Sequence, residues 1–337
     1  MTNLKLKLVS VAVGVAISMT ANADTTLRVA TWLPPSSPQN AVVWPTWSKW
    51  VEEATEGRVK VVVENHTGHP KTIFSAVEDG IVDAGFTVNA YVPGRFNLTG
   101  VAEIPGEITE AESASVALWK VQQEYFNPAN EYDGLKLIGM FVHSPGQIHT
   151  KFPVNSLADL KDKKIRLGGG LVNEVAARLG VTPVAAAATK SYEMLQQGVV
   201  DGTFLPIGEQ KFFRLAEVTS DLTIFPNDIY TITFSIVMNP EFFESLSPED
   251  QEAIMSVSGE KLSRLAGKAW QDAEQEGLEY AKTNGVNIAR LAKDDPRVTE
   301  MNKIMEGIDQ FWIDSVADRG VDAKSALAAF RKYIAEQ

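Results

Sequence analysis

Apolar and polar positions in this 337-residue chain follow two rhythms that replace each other at short intervals. Residues 27–32 alternate apolar and polar, as a half-buried strand does. Residues 42–55 instead place Trp44, Trp47, Val51 and Ala54 on one helical face, and Gly57 closes the segment. The valine-rich stretch 58–65 reads as a second strand. A strand, helix, strand unit of this kind predicts a parallel pair joined by a right-handed crossover. The rhythm continues with a helix over 72–79 stopped by Gly80, a strand over 83–88, a helix over 110–126 and a strand over 135–142. A second series begins near Ser144. It holds a strand over 164–167, a helix over 171–179 stopped by Gly180, a strand through Val184, a helix over 190–197 and a strand over 201–205. The series join around 142–145 and again around 227–239, which predicts two α/β lobes. Residues 24–143 with about 232–271 form the first lobe, and 144–231 with about 272–337 the second.

After Ser247 the pattern lengthens. Ser247 caps, Pro248 takes the first helical position, Glu249 and Asp250 favour the dipole, and the first clear stop is Asn284-Gly285. One helix of roughly 35 residues would be about 50 Å long, more than one small lobe requires. It reads as a strut crossing both lobes, with Gly259, Gly267 and Gly277 as the points where it bends or breaks.

The N-terminus reads as a processing signal. Lys5 and Lys7 precede an apolar run over 8–19, and Ala21-Asn22-Ala23 is a small-x-small cleavage site. Residues 1–23 are therefore assigned as a signal peptide, too short for a membrane span, with export to the periplasm and a soluble mature protein as the expectation. A net charge of -12 and a pI near 4.9 exclude the basic stripe that nucleic-acid binding needs. The absence of cysteine removes disulfides, thiolate catalysis and cysteine-ligated metals together.

Against so acidic a background, Arg166 is the residue most suggestive of ligand chemistry. It ends the 164–167 strand just before Gly168, Gly169 and Gly170. A guanidinium beside backbone bare enough for close approach is a fork for a planar carboxylate. A structural arginine that bridges the lobes or pairs with Asp162 is the alternative. Trp32, Tyr91, Phe204 and Tyr230 fall at strand ends or loops, where parallel sheets place a ligand crevice, and Asn89 follows the 83–88 strand directly. Core packing is the competing role for each aromatic. The run Ala185–Ala188 leaves room for a bulky ligand body or packs as small residues do. His143 and His149 flank Pro145-Gly146 at the lobe junction, so His149 either donates to an anion or is satisfied by backbone. His66 and His69 lie in a Thr-Gly loop without a nearby acidic partner, so no zinc site is assigned. There is no Gly-x-Ser-x-Gly, His-Glu-x-x-His or Walker loop. Ser258 and Lys261 fit Ser-x-x-Lys but lie within the long helical stretch without its partner motifs. No catalytic residue, metal site or cofactor is assigned.

Several ordered segments carry a family likeness. Asp159-Leu-Lys-Asp-Lys-Lys-Ile-Arg-Leu-Gly168 and Leu195-Gln-Gln-Gly-Val-Val-Asp-Gly202 are accompanied by Glu52-Glu-Ala-Thr-Glu-Gly-Arg-Val-Lys-Val61. Ala30-Thr-Trp-Leu-Pro-Pro35, Asp79-Gly-Ile-Val-Asp-Ala-Gly85, Tyr91-Val-Pro-Gly-Arg-Phe96, Val237-Met-Asn-Pro240 and Leu246-Ser-Pro-Glu-Asp-Gln251 complete the set. Together they resemble the solute-binding subunits of TRAP (tripartite ATP-independent periplasmic) transporters over nearly the whole mature chain. The resemblance implies a two-lobed periplasmic binding protein fold with hinge strands and a long helix spanning both lobes. It also implies Arg166 gripping the carboxylate of an organic anion, and small and large membrane subunits as partners. Two departures narrow the ligand: the asparagine that often assists the arginine is Leu205, and a second arginine used for sugar acids falls near Gly146. Single-arginine recognition then favours a monocarboxylate, aromatic or keto-substituted, over a C4-dicarboxylate or sugar acid. The expected protein is a monomer that hinges near 142–146 and 229–238. A periplasmic lyase or hydrolase and a receptor feeding a sensor kinase are the alternatives.

Overall fold

The computed structural model describes residues 25–66 and 68–337, so the signal-peptide reading of 1–23 lies outside the described residues. Strands β1 (Thr25–Thr31), β2 (Val59–Asn65), β3 (Ala84–Val88), β4 (Lys136–Val142) and β5 (Gln147–Thr150) come first in the chain. They are followed by β6 (Lys164–Leu167), β7 (Thr182–Ala185), β8 (Gly202–Leu205), β9 (Asp221–Ile224), β10 (Thr233–Met238) and β11 (Asn287–Arg290). One sheet has the order β2-β1-β3-β10-β4 and the other β11-β9-β5-β8-β6-β7. β1 pairs parallel with β2 from Thr25↔Val59 to Thr31↔Asn65, as the strand, helix, strand pattern requires. Between them, helix Trp44–Ala54 buries Trp44, Trp47 and Val51. Burying each large apolar side chain stabilises the lobe by about 1.5–3 kcal/mol.

The chain passes from the first sheet to the second through residues 143–146 and returns through 225–232. β10 runs antiparallel to both β3 and β4, while β5 runs antiparallel to both β8 and β9. β5, β9 and β11 carry no periodic signal. Gln147, His149, Thr150, Asp221 and Thr223 are polar residues buried inside a sheet, so apolar alternation is absent where they lie.

The expected long helix is broken. Helix Pro248–Ser256 ends before Gly259, and the strut proper is the 24-residue helix Glu260–Thr283, about 36 Å long. Gly259 has φ 59 and ψ -128, a conformation reserved for glycine, and its N–H donates to Ile138 O of β4 at 2.7 Å. Gly267 and Gly277 do not bend the helix; they let it touch one lobe each. A Cβ on Gly267 would lie 2.5 Å from Ala111 O, and one on Gly277 2.2 Å from Ile207 O. Further along the strut, Ser263 Oγ accepts from Met140 N at 3.0 Å and Glu274 accepts from Gly208 N at 3.0 Å. The strut is thus fastened to both sheets.

The end of the 272–337 segment packs against the first sheet's lobe. Helix Ala323–Ala335 packs on helix Ala111–Val121 of the first lobe, and Arg331 pairs there with Glu107 and Tyr333 with Glu124. Its apolar stripe of Ala326, Leu327 and Phe330 needs that helical surface for burial.

Candidate ligand-binding site

β6 lies between β7 and β8, and Arg166 projects from it into the interior, only 1% exposed. Its Nε and Nη2 donate to Ala186 O at 2.9 and 2.6 Å, and Nη2 also donates to Tyr91 Oη at 3.3 Å. Among the described residues no carboxylate lies within 4.0 Å of this guanidinium, and Asp162 is not its partner. A buried cation without an anion is costly, so the arrangement favours an anionic guest. Tyr91 Oη also accepts from Ala188 N at 2.9 Å. Both lone pairs of the hydroxyl are committed, which leaves its proton to donate to a bound acceptor.

A small, mostly apolar cavity opens in front of Arg166. Of the residues expected from sequence, Trp32, Tyr91, Arg166, Gly168 and Tyr230 line it. Trp32 is fixed by donating from Nε1 to Phe86 O at 3.0 Å and by stacking on Phe86 at 5.7 Å. Tyr230 donates to Phe204 O at 2.7 Å, and its ring rests on Gly146, where a Cβ would lie 2.0 Å from a ring carbon. The space beside Gly146 is therefore filled by an aromatic ring.

Asn89 and Gly169 lie instead in the wider cleft adjoining this cavity, where Asn89 Nδ2 donates to Thr99 Oγ1 and Thr233 Oγ1, each at 3.2 Å. Phe204 and His149 are not in the cavity. Phe204 is wholly buried inside β8, and the next residue, Leu205, faces the cavity because strand side chains alternate. His149 is enclosed between Leu205 O at 2.7 Å and Gln210 Nε2 at 2.6 Å, and burial pushes it down to about 4. Its backbone-satisfied alternative is the one observed.

Three polar residues absent from the sequence-derived set also line the cavity: His143, Glu209 and Trp270. His143 Nδ1 lies 2.6 Å from Ser144 O and must carry the proton, and burial pushes the ring down to about 4. Burial, reinforced by nearby Glu274, holds the Glu209 carboxyl well above its ordinary range, which favours its neutral form. Trp270 reaches in from the strut, and Phe234, stacked on Phe141 at 4.5 Å, forms the apolar wall beside it. No local sequence signal marks Glu209. His143 is marked only by its place at the first crossover.

The two lobes touch across the adjoining cleft. Glu103 of the first lobe accepts from Leu171 N of the second at 3.1 Å and from Thr233 Oγ1 at 2.9 Å, and burial pushes it up to about 7. With the Tyr91 contacts to Arg166 and Ala188, the structure is a closed one. Among the described residues no group of His, Asp and Glu is arranged to hold a metal ion, and no helix is long and apolar enough to cross a membrane.

Residues 29–311 match the profile of the bacterial extracellular solute-binding protein, family 7. A TRAP periplasmic solute-binding protein from Bordetella bronchiseptica, solved with (R)- and (S)-mandelate, is 34% identical with a TM-score of 0.89, covering 93% of this chain and 99% of that one. A TRAP solute-binding protein from Rhodoferax ferrireducens with copurified benzoate is 26% identical at a TM-score of 0.87, covering 93% and 98%. The outer membrane transporter protein TsaT of Comamonas testosteroni is 27% identical over 99% of both chains.

Proposed function

The chain belongs to the bacterial extracellular solute-binding proteins of family 7, and from that premise we propose that it captures a small aromatic monocarboxylate beneath Arg166 for delivery to a TRAP transporter. It is a TRAP solute-binding protein that takes up an organic carboxylate, and among its relatives the 2,3-diketo-L-gulonate-binding protein of Escherichia coli is periplasmic. The observation that carries the finer reading is the buried, anion-free Arg166 guanidinium in a mostly apolar cavity. One fork takes one carboxylate. A second carboxylate would meet no second arginine or lysine in the cavity lining, and an extensively hydroxylated body would be desolvated against Trp32, Phe234 and Leu205. The mandelate and benzoate held by the two similar structures agree with that choice.

The small and large membrane subunits of such a transporter are the proposed partners, and the receptor acts as a monomer. Family 7 members are binding subunits of transporters rather than enzymes, and no residue in the cavity is paired as a nucleophile with a base. Catalytic turnover is therefore excluded from the proposal. The lobes are proposed to divide at the two crossovers, 143–146 and 225–232.

A thermal-shift screen of the purified mature protein tests this. A carboxylate at one hundred times its dissociation constant adds about 2.7 kcal/mol of apparent stability. Benzoate-like acids should raise the unfolding midpoint and be recovered chemically unchanged. A shift confined to succinate-like diacids or sugar acids would overturn the ligand class.

A further inference from the structure

Arg166 and Tyr91 account for one end of a ligand, yet three residues lining the same cavity each carry a buried polar atom without a partner. They are His143 Nε2, Glu209 Oε2 and Trp270 Nε1, on side chains from residues only 2%, 2% and 4% exposed. Native folds seldom leave such atoms unpaired, and three around one cavity mark a place for guest polarity. They come from separate elements: the first crossover, the short helix Glu209–Phe212 and the strut. Their contact with one space is a product of the closed fold rather than of a local motif.

Their chemistry is complementary. The Nδ1 proton of His143 is committed to Ser144 O, so Nε2 is an acceptor. Trp270 Nε1–H is a donor only. The neutral Glu209 carboxyl can do either, and its burial against Glu274 favours that neutral form. The His143 and Trp270 rings lie 6.5 Å apart between centroids, at a tilt of 30°. A hydroxyl is the smallest group that gives a proton to one and takes a proton from the other. A second carboxylate has no proton to give to His143.

We propose that His143, Glu209 and Trp270 form a second polar station that reads a hydroxyl on the ligand, so that the preferred guests are hydroxylated aromatic carboxylates. This rests on the reading that Arg166 takes the carboxylate.

Isothermal titration calorimetry with benzoate, 3-hydroxybenzoate, 4-hydroxybenzoate and 4-methoxybenzoate tests it. In the wild type the better hydroxybenzoate should bind at least about tenfold more tightly than benzoate, because a site built to bond a hydroxyl penalises the analogue that lacks it. The methoxy compound accepts but cannot donate, so it should not share the preference. Trp270→Phe and Glu209→Gln should each reduce the ratio of hydroxybenzoate to benzoate affinity. The ratio is the readout, so a general loss of affinity in a variant cancels. Equal affinity for benzoate and both hydroxybenzoates in the wild type overturns the station, as it would if ordered water alone filled it, and leaves the carboxylate reading standing. Failure of all four probes to bind overturns the aromatic-carboxylate reading itself. Should a variant not fold, the wild-type ratio still decides.

Discussion

At the scale of single residues, Arg166 is a cation removed from water without an anion to offset the loss. Its bonds to Ala186 O and Tyr91 Oη satisfy protons but not charge. Arg166→Ala should therefore weaken benzoate binding by roughly 2–5 kcal/mol, and Arg166→Lys by about tenfold or more, because lysine keeps the charge and loses the planar fork. The same imbalance predicts that ligand-free Arg166→Ala melts no lower than the ligand-free wild type. Calorimetry and a thermal melt check the two halves. Undiminished benzoate affinity would remove Arg166 from the site, and a melt far below wild type would make it structural. That Arg166, Gly168, Trp32, Tyr91 and Tyr230 lie around one cavity was legible in the sequence because strand ends and glycine runs leave local marks. Phe204 and His149 lie off it because adjacent strand residues face opposite sides, and no sequence pattern there shows which side is the cavity. Glu209, His143 and Trp270 acquire their roles only through burial, which packing between distant segments decides.

At the scale of elements, local periodicity located β1 to β4, β6 to β8 and the helices between them to within a few residues, because each buries one face. It missed β5, β9, β10 and β11, which place polar residues in a sheet or lie at its edge. It read one long helix with Gly259, Gly267 and Gly277 as possible breaks, and the break falls at Gly259 alone. The strut's glycines were read as weaknesses, whereas the structure uses them as points of close approach. In an ordinary helix interior, replacing glycine with alanine stabilises by about 1 kcal/mol. Gly277 lies against the Ile207 carbonyl and Gly208 Cα, backbone that cannot rotate away as a side chain end would. Gly277→Ala should thus destabilise by about 1–3 kcal/mol, lowering the midpoint of denaturant unfolding at unchanged slope. A stabilised variant would show that the strut does not press on the second lobe there.

At the scale of the whole molecule, the fold buries ionisable groups far from each other, and their protons couple to stability. Burial is the first cause that pushes Glu103, Glu131, Asp228 and Glu274 up to about 7, and it holds Glu209 well above its ordinary range. An unfolded chain releases those protons near pH 4 to 4.5. Between that point and pH 7 the folded protein holds protons that the unfolded chain has lost, so stability falls as pH rises. His143 and His149 oppose this, since burial pushes both down to about 4 and the unfolded chain takes up their protons below about 6.5. His69, also pushed down by burial, adds a smaller opposing share; the five carboxyl groups outweigh the three imidazoles from pH 4.5 to 6.5, and above 6.5 only the carboxyls act. Asp295, held at about 2 by Arg297, loses its contribution well below this window. The ligand-free protein should consequently unfold at a higher temperature at pH 5.5 than at pH 8, with ionic strength fixed. Glu103 ties this to the working cycle, because its contact with Leu171 N exists only while the lobes meet. Glu103→Gln keeps the shape without the ionisation, so it should flatten part of the slope between pH 5.5 and 8. A midpoint that climbs steadily to pH 8 in the wild type would mean that these carboxyls are ionised in the closed protein.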